Sequence, residues 1–377
     1  MNEDKILDQI NTCIDCKSCL EVCDTYQATG NELQSPNGRL KIAEKVFTNQ
    51  KISEEERFGI YTCTLCSLCD TVCSQEIPIS KIIHTTKIRL SNTEMGPYEI
   101  HNKISEGIIE KDNSVNGKPE ERLDWLPEKY KDSEIFENRE SDTLLFLGCM
   151  SSFKVKESAS ASYQVLRKAD YDFKILKNEP CCGEYLYSAG KLEEAKKYFK
   201  KTYEILKQNG IKKIIVTCAG CLYAFNNIYS KYVEGYDIEV RHIIQIIYDL
   251  IKDGKISLKK LDDLEFTYHD ACRMGRKING MNIYNEPREL FSLIGINIHE
   301  LPNNREKTPC CGAGSGIRGV DKDLCIDIGS TILENLETDS IVSSCPLCIF
   351  NFRYVNYKNQ MEKSIKYITD YILDAME

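Results

Sequence analysis

The sequence predicts an α+β multidomain protein: a mostly α-helical N-terminal domain followed by two duplicated α/β lobes. Three observations predict it. Two cysteine runs of identical spacing lie within the first 73 residues. A looser set of cysteines then recurs with an offset of 123 to 129 residues, the mark of a tandem duplication. Around those later cysteines, short apolar runs alternate with stretches of helical periodicity, as expected of layered strands and helices. The boundaries read from this pattern are 1–95 for the helical domain, 96–140 for a helical connector, and 141–250 and 264–377 for the two lobes. Residues 251–263 (IKDGKISLKKLDD) form the joint.

Composition narrows the class. The 377 residues are 42% hydrophobic and 28% charged, with a net charge of −9, an acidic balance unsuited to coating nucleic acid. No run approaches the ~18 apolar residues of a membrane span. The start, MNEDKILDQI, lacks the apolar core of a secretory signal. A cytoplasmic location is expected, with any membrane contact made through a partner. The anomaly is 19 cysteines. A body this size needs no staples, and an odd count in a reducing compartment points to metal or redox chemistry.

The first domain carries Cys13, Cys16, Cys19, Cys23 and then Cys63, Cys66, Cys69, Cys73. Both runs read C-x2-C-x2-C-x3-C, the spacing that wraps a cubane [4Fe-4S] cluster with soft thiolate ligands. Zinc is the competing metal, but its sites use paired C-x2-C hooks rather than four-cysteine runs. In two-cluster ferredoxins the fourth cysteine serves the other cluster. On that pattern Cys13, Cys16, Cys19 and Cys73 hold one cubane, and Cys63, Cys66, Cys69 and Cys23 hold its neighbour. The x3 step is read as the i, i+4 step of a helix beginning at the third cysteine. Asp24 and Ser74 stand where proline usually follows such runs, with Pro78 slightly later.

Between the runs, SPNGRLKIAEKVF reads as a turn at Pro36-Asn37-Gly38 and then a helix with Leu40, Ile42, Ala43, Val46 and Phe47 apolar. Further along, Ile82, Ile83, Ile88 and Leu90 suggest a helix, and Asn113–Pro119 a polar loop. Trp125, the only tryptophan, is read as a packing anchor between domains, with cofactor stacking the weaker option.

The lobes are built on the repeat. Cys149, the pair Cys181-Cys182, and Cys218-x2-Cys221 match Cys272, the pair Cys310-Cys311, and Cys345-x2-Cys348. Thr143–Leu147, Ile211–Thr217 and Ile341-Val342 are short apolar runs leading into cysteines, read as buried strands delivering ligands at their carboxyl ends. Leu192–Asn209 and Met361–Met376 have helical spacing. Strands alternating with helices imply parallel sheets of a Rossmann-like kind.

The pattern C-x31-C-C-x35-C-x2-C, with Glu179-Pro-Cys-Cys-Gly183, Tyr268-His-Asp-Ala-Cys-Arg273 and Pro309-Cys-Cys-Gly-Ala-Gly314, resembles the cysteine-rich CCG domain. That domain belongs to heterodisulfide reductases and to iron–sulfur subunits of glycolate, lactate and glycerol-3-phosphate oxidoreductases. A dicluster ferredoxin domain followed by two CCG domains looks like the heterodisulfide reductase D-type family. The resemblance implies a non-cubane [4Fe-4S] cluster on Cys149, Cys181, Cys182, Cys218 and Cys221, and a second on Cys272, Cys310, Cys311, Cys345 and Cys348. Both sets are complete, which favours the disulfide-cleaving members. Adjacent cysteines resist forming an ordinary disulfide, leaving both thiolates for an opened cluster. Gly183 and Gly312 supply positive φ and backbone N–H groups beside the sulfurs. Gly312-Ala-Gly314-Ser-Gly316 lacks the spacing of a dinucleotide loop.

Eighteen cysteines are thereby grouped, and Cys325 alone is read as a buried packing thiol. His269, three residues before Cys272, is either a proton source for a departing thiolate or a hydrogen bond that fixes its loop. Asp270 is expected to cap a helix after Cys272. Arg273, Arg276, Lys277, Lys154 and Lys156 either receive anionic groups of a substrate or form a solvated basic face.

The resulting expectation is an iron–sulfur oxidoreductase in which two cubanes feed two non-cubane clusters facing one cavity. The resemblance implies cleavage there of the mixed disulfide of coenzyme M and coenzyme B, a small anionic substrate. It also implies an electron-donating partner, a cytochrome b-type membrane subunit or a flavoprotein. The alternative is the electron-transfer subunit of a flavin-dependent 2-hydroxyacid or glycerol-3-phosphate dehydrogenase. A plain electron-carrier module is a third.

Overall fold

The computed structural model describes residues 3–131, 140–261, 264–277 and 282–376. Residues 132–139 of the expected connector, and Asp262 and Asp263 of the expected joint, lie outside the described residues.

The N-terminal domain is helical, as its periodicity predicts. Helices Pro36–Phe47, Glu54–Tyr61 and Ile79–Leu90 pack around a core of Ile6, Leu40, Ile42, Ile60, Ile82 and Ile83. The expected turn at Pro36-Asn37-Gly38 is instead the first turn of the helix. Ser35 caps it, its Oγ accepting from Gly38 N at 2.9 Å. Proline at N1 loses nothing, because that N–H has no intrahelical partner. Gly38 is required for another reason: a Cβ there would collide with the Glu32 carbonyl.

The x3 steps also differ from expectation. Each run makes a short helix, Ser18–Glu21 or Leu68–Thr71, that ends before the fourth cysteine. Cys23 then stands at the N-cap of a separate helix, Asp24–Thr29.

The first lobe holds a parallel three-stranded sheet of β1 (Thr143–Phe146), β2 (Lys213–Val216) and β3 (Glu239–His242), in the order β1-β2-β3. The second holds β4 (Glu265–His269), β5 (Asn297–Glu300), β6 (Ser340–Ser343) and β7 (Ser364–Tyr367), parallel in the order β5-β4-β6-β7. The duplication survives in the ladder: β1 pairs with β2 as β4 pairs with β6, and β3 matches β7. The counterpart of β5 shrinks in the first lobe to one bridge, Leu144 to Lys174. Helices lie against both sheets, Leu192–Gln208 being the longest of those described. The stretch Met361–Met376, expected to be one helix, is β7 followed by the helix Ile368–Ala375.

One apolar core runs through both lobes, from Phe146 and Phe225 in the first to Phe266 and Phe352 in the second. The lobes exchange equivalent contacts. Helix Lys156–Lys168 packs on Ile368–Ala375, and its counterpart Asn285–Leu293 packs on Ile243–Lys252. Reciprocity of this kind is what a two-fold relation between repeats produces. Polar bonds tie the same seam: Tyr367 OH donates to Thr217 O at 2.6 Å, and Arg353 pairs with Glu157. Trp125 is buried in this core against Tyr163, ring centroids 5.5 Å apart, as a packing anchor. The joint leans back on the C-terminus, Lys259 N donating to Ala375 O at 2.8 Å.

Candidate iron–sulfur centres and the adjoining cavity

The two N-terminal cysteine loops share one backbone form. Asp15 and Lys17 adopt left-handed conformations at φ 53° and 62°, and Leu65 and Ser67 match them at φ 53° and 65°. Four non-glycine residues at positive φ store strain, in the first loop on an exposed segment, Ile14 to Lys17, that carries Cys16. Such alternation turns backbone N–H groups inward, the geometry of an anion nest; Leu65 N stands 3.4 Å from Cys63 Sγ.

Folding brings the fourth cysteine of each run toward the other run. Cys23 lines one buried cavity with Cys63, Cys66 and Cys69. Cys19 lies among Cys13, Cys23 and Cys73; burial first, then those thiols, push its pKa up to about 12. A thiol so placed ionises only when a cation or metal compensates it. Four soft sulfurs converging on a cavity are a donor set that fits a cubane.

Two buried cations flank the site of Cys23 and Cys63. Arg39 is 1% exposed; its Nη1 lies 3.9 Å from Cys23 Sγ and its Nε donates to Gly59 O at 2.7 Å. Lys87 Nζ donates to Cys63 O at 3.2 Å and to Ser315 Oγ at 2.8 Å, and burial lowers its pKa to about 8. Cysteine spacing points to neither residue, but the helical pattern carries a signal for both. Arg39 stands at i to Ile42, Ala43 and Val46, and Lys87 one turn from Ile83 and Leu90, so each charge lies on the apolar stripe of its helix.

In the lobes the cysteines meet in the same order twice. Cys149 touches Cys181, which adjoins Cys182; Cys182 touches Cys221, and Cys221 touches Cys218. Cys272, Cys310, Cys311, Cys348 and Cys345 repeat the sequence of contacts. Hydrogen bonds from Cys181 and then Cys221 lower the Cys182 pKa to about 6. Gly183 and Gly312, at φ 71° and 87°, turn the chain after each pair, and Gly183 N approaches Cys181 Sγ to 3.4 Å. Glu179 fixes the first ligand loop, accepting from Leu147 N and Gly148 N at 2.8 Å each and pairing with Arg122 at 3.4 Å.

The sets are joined. Cys218 touches Cys345 across the seam between lobes. Cys310 touches Cys66 of the N-terminal domain, both within 4.8 Å of an Asp24 oxygen that accepts from Cys310 N at 2.9 Å. The second lobe's cysteines therefore lie between the N-terminal domain and those of the first lobe. A cavity of about 330 Å³ is lined by all five cysteines of the first set and by none of the second. The expectation that both sets face one cavity is corrected: the second set packs against Cys66 on one side and Cys218 on the other instead.

The remaining candidates take structural positions. His269 is 1% exposed, its Nε2 3.1 Å from Pro309 O and its Nδ1 3.5 Å from Ser343 Oγ, away from the cavity lining. This is the loop-fixing arrangement. Asp270 caps no helix, since Cys272–Lys277 is a turn; it pairs with Arg288 at 2.8 Å and accepts from Arg305 N at 2.8 Å. Arg276 donates to Cys66 O at 3.2 Å and Thr308 O at 2.5 Å, and Lys277 to Leu65 O at 2.8 Å, so both fasten the second lobe to the N-terminal domain. Arg273 lines the cavity but is paired with Glu184 at 2.6 Å. Lys156 pairs with Asp124 at 3.1 Å, and Lys154 is exposed outside the cavity. Cys325 is fully buried among Ile317, Leu324 and Ile328.

Comparison with known proteins agrees with this architecture. Residues 9–77 match the 4Fe-4S dicluster domain, and residues 143–226 and 266–353 each match the cysteine-rich CCG domain. The chain is thus an iron–sulfur protein of the oxidoreductase type, a dicluster ferredoxin domain joined to two CCG domains. Within that class it resembles the D-type component of heterodisulfide reductase. It is 29% identical over 365 residues to the D-type component of the dihydromethanophenazine:CoB–CoM heterodisulfide reductase of Methanosarcina barkeri, covering 90% of this chain and 87% of that one. The Methanosarcina mazei protein of the same name is 27% identical, covering 98% and 94%. The EtfAB:quinone oxidoreductase of Syntrophomonas wolfei is 26% identical over 92% of this chain and 55% of its own. A hypothetical protein from Helicobacter pylori shares the fold, with a TM-score of 0.59 at 11% identity, covering 100% of this chain and 76% of that one.

Proposed function

We propose that the chain is a disulfide-reducing iron–sulfur subunit acting on the mixed disulfide of coenzyme M and coenzyme B, fed by an electron-donating partner protein, a cytochrome b-type membrane subunit or a flavoprotein. The observation that carries this reading is the unbroken order of cysteine contacts from Cys66 through Cys310 and Cys345 to Cys218 and Cys149, ending on a half-open cavity. Two cubane and two non-cubane [4Fe-4S] clusters fit the donor sets; when bound, they supply one-electron carriage and an iron site open to thiolate sulfur.

The reaction takes one disulfide, two electrons from the partner and two protons to two thiols. Cys218 against Cys345 sets the two lobe sites side by side, which suits a two-electron reaction served by one-electron carriers. The chain's own contribution is positional. Glu179 and Gly183 hold the first ligand loops, Arg276 and Lys277 lock the second lobe to the N-terminal domain, and an apolar wall lines the cavity beside the first-lobe thiols.

Anaerobically purified protein, reduced viologen and the heterodisulfide supply the test. The expected result is two thiols released and two viologens oxidised per disulfide. Full reduction of the iron–sulfur centres with no thiol release overturns the proposal and favours a carrier subunit whose chemistry belongs to its partner.

A further inference from the structure

The cavity over the first-lobe cysteines has a strongly apolar wall, made by Ile100, Ile104, Val115, Met150, Leu347 and Phe350. Into this wall the fold sets Arg318. Its guanidinium carbon lies 4.6 Å from the Phe350 ring centre and 3.9 Å from that of Tyr354. Aromatic faces on the arginine hold the planar fork in one orientation. Yet Arg318 has no carboxylate partner among the described residues, and its Nη1 is buried without a hydrogen-bond acceptor.

A buried guanidinium N–H without an acceptor is costly, and its presence calls for a physical account. Arg273, the other arginine of the cavity, is different: Glu184 neutralises it at 2.6 Å. Lys322 adds a second, exposed cation at the same wall. The cavity therefore carries an excess of positive charge in a chain whose net charge is −9.

Resting on the disulfide-reducing reading, we infer that Arg318 is the specificity-determining residue of the cavity, binding the sulfonate, phosphate or carboxylate group of a small organic substrate whose apolar stem lies along Val115, Met150 and Phe350. A guanidinium fork matches such oxyanions with two parallel hydrogen bonds, which a lysine does not reproduce. The motif Gly314-Ser-Gly316-Ile-Arg-Gly319 places Arg318 just beyond the second cysteine pair, so one lobe supplies the cation and the other the five thiols lining the cavity.

The test compares wild type, Arg318→Gln and Arg318→Lys, each loaded to equal iron content. The substrates are bis(2-sulfonatoethyl) disulfide and its neutral analogue, bis(2-hydroxyethyl) disulfide. Arg318→Gln should raise KM for the sulfonated substrate at least tenfold (about 1.4 kcal/mol), leave kcat unchanged, and leave KM for the neutral one unchanged; Arg318→Lys should recover part of the loss. Calorimetric binding of ethanesulfonate, which cannot be reduced, should be lost in Arg318→Gln. Equal effects on both disulfides, or undiminished ethanesulfonate binding, overturn the inference. Should Arg318→Gln fail to fold, wild type alone decides: ethanesulfonate must compete with the sulfonated disulfide, and absence of competition overturns the assignment. If neither disulfide is turned over, the calorimetric arm still reads Arg318, and only the functional reading falls.

Discussion

Replacing Arg39 by methionine should lower the midpoint potential of the centre we propose on Cys23, Cys63, Cys66 and Cys69 while leaving its neighbour unmoved. The guanidinium is 1% exposed, with Nη1 3.9 Å from Cys23 Sγ, so water screens it little. Reduction adds one negative charge to the site, and a fixed cation favours it. With an effective dielectric of ~20, a unit charge ~4–7 Å away contributes about 2–4 kcal/mol. At ~59 mV per tenfold change for one electron, this corresponds to a drop of roughly 90–170 mV. The assay is a redox titration of the anaerobic protein followed by electron paramagnetic resonance. Arg39→Lys keeps the charge and should shift the potential less. The loss of the bonds to Gly59 O and Thr25 Oγ1 costs stability, so iron content is checked in each variant. No shift, or an equal shift of both centres, would refute the electrostatic argument.

Other outcomes follow from the same geometry. Cys73→Ser should perturb the centre that ignores Arg39, and Cys23→Ser the one that responds to it; the reverse pattern in resonance spectra would show that the fourth cysteines are not exchanged. The intact protein should hold about 16 iron and 16 sulfide, and zinc beside about 8 iron on elemental analysis would leave only the N-terminal centres standing. Cys325→Ala should keep every cluster spectrum and cost at most about 1–2 kcal/mol of stability, measured by chemical denaturation. Asp370 is pushed up to about 6 by burial and then by Glu157, against an ordinary 3.8. Its carboxyl therefore stabilises the fold fully below 3.8, and that contribution is lost as pH rises through 6. Asp370→Asn should raise Tm by a few degrees at pH 8 and by nothing at pH 4.

The sequence by itself determined the ligand inventory and the repeat. Thiol spacing is a local property: C-x2-C-x2-C-x3-C constrains a single loop, and the cysteine offsets report the duplication without any knowledge of packing. Strand positions such as Thr143–Phe146 and Lys213–Val216 were legible because short, largely apolar runs have little alternative to burial. The start of the helix at Pro36, one turn earlier than its periodicity suggests, and the strand Ser364–Tyr367 were not, because capping by Ser35 and a short edge strand leave weak marks in periodicity. Only the tertiary structure decided which set of cysteines reaches the cavity. That choice depends on contacts between residues far apart in the chain, Cys66 with Cys310 and Cys218 with Cys345, which equal spacing in two lobes cannot distinguish. The same holds for the cations. Arg276 and Lys277 sit beside a cysteine in sequence yet serve as fasteners, whereas Arg318 and Arg39 carry charge where the fold leaves it buried. A charge's role is set by what desolvates it, and desolvation is a property of packing, not of neighbours along the chain.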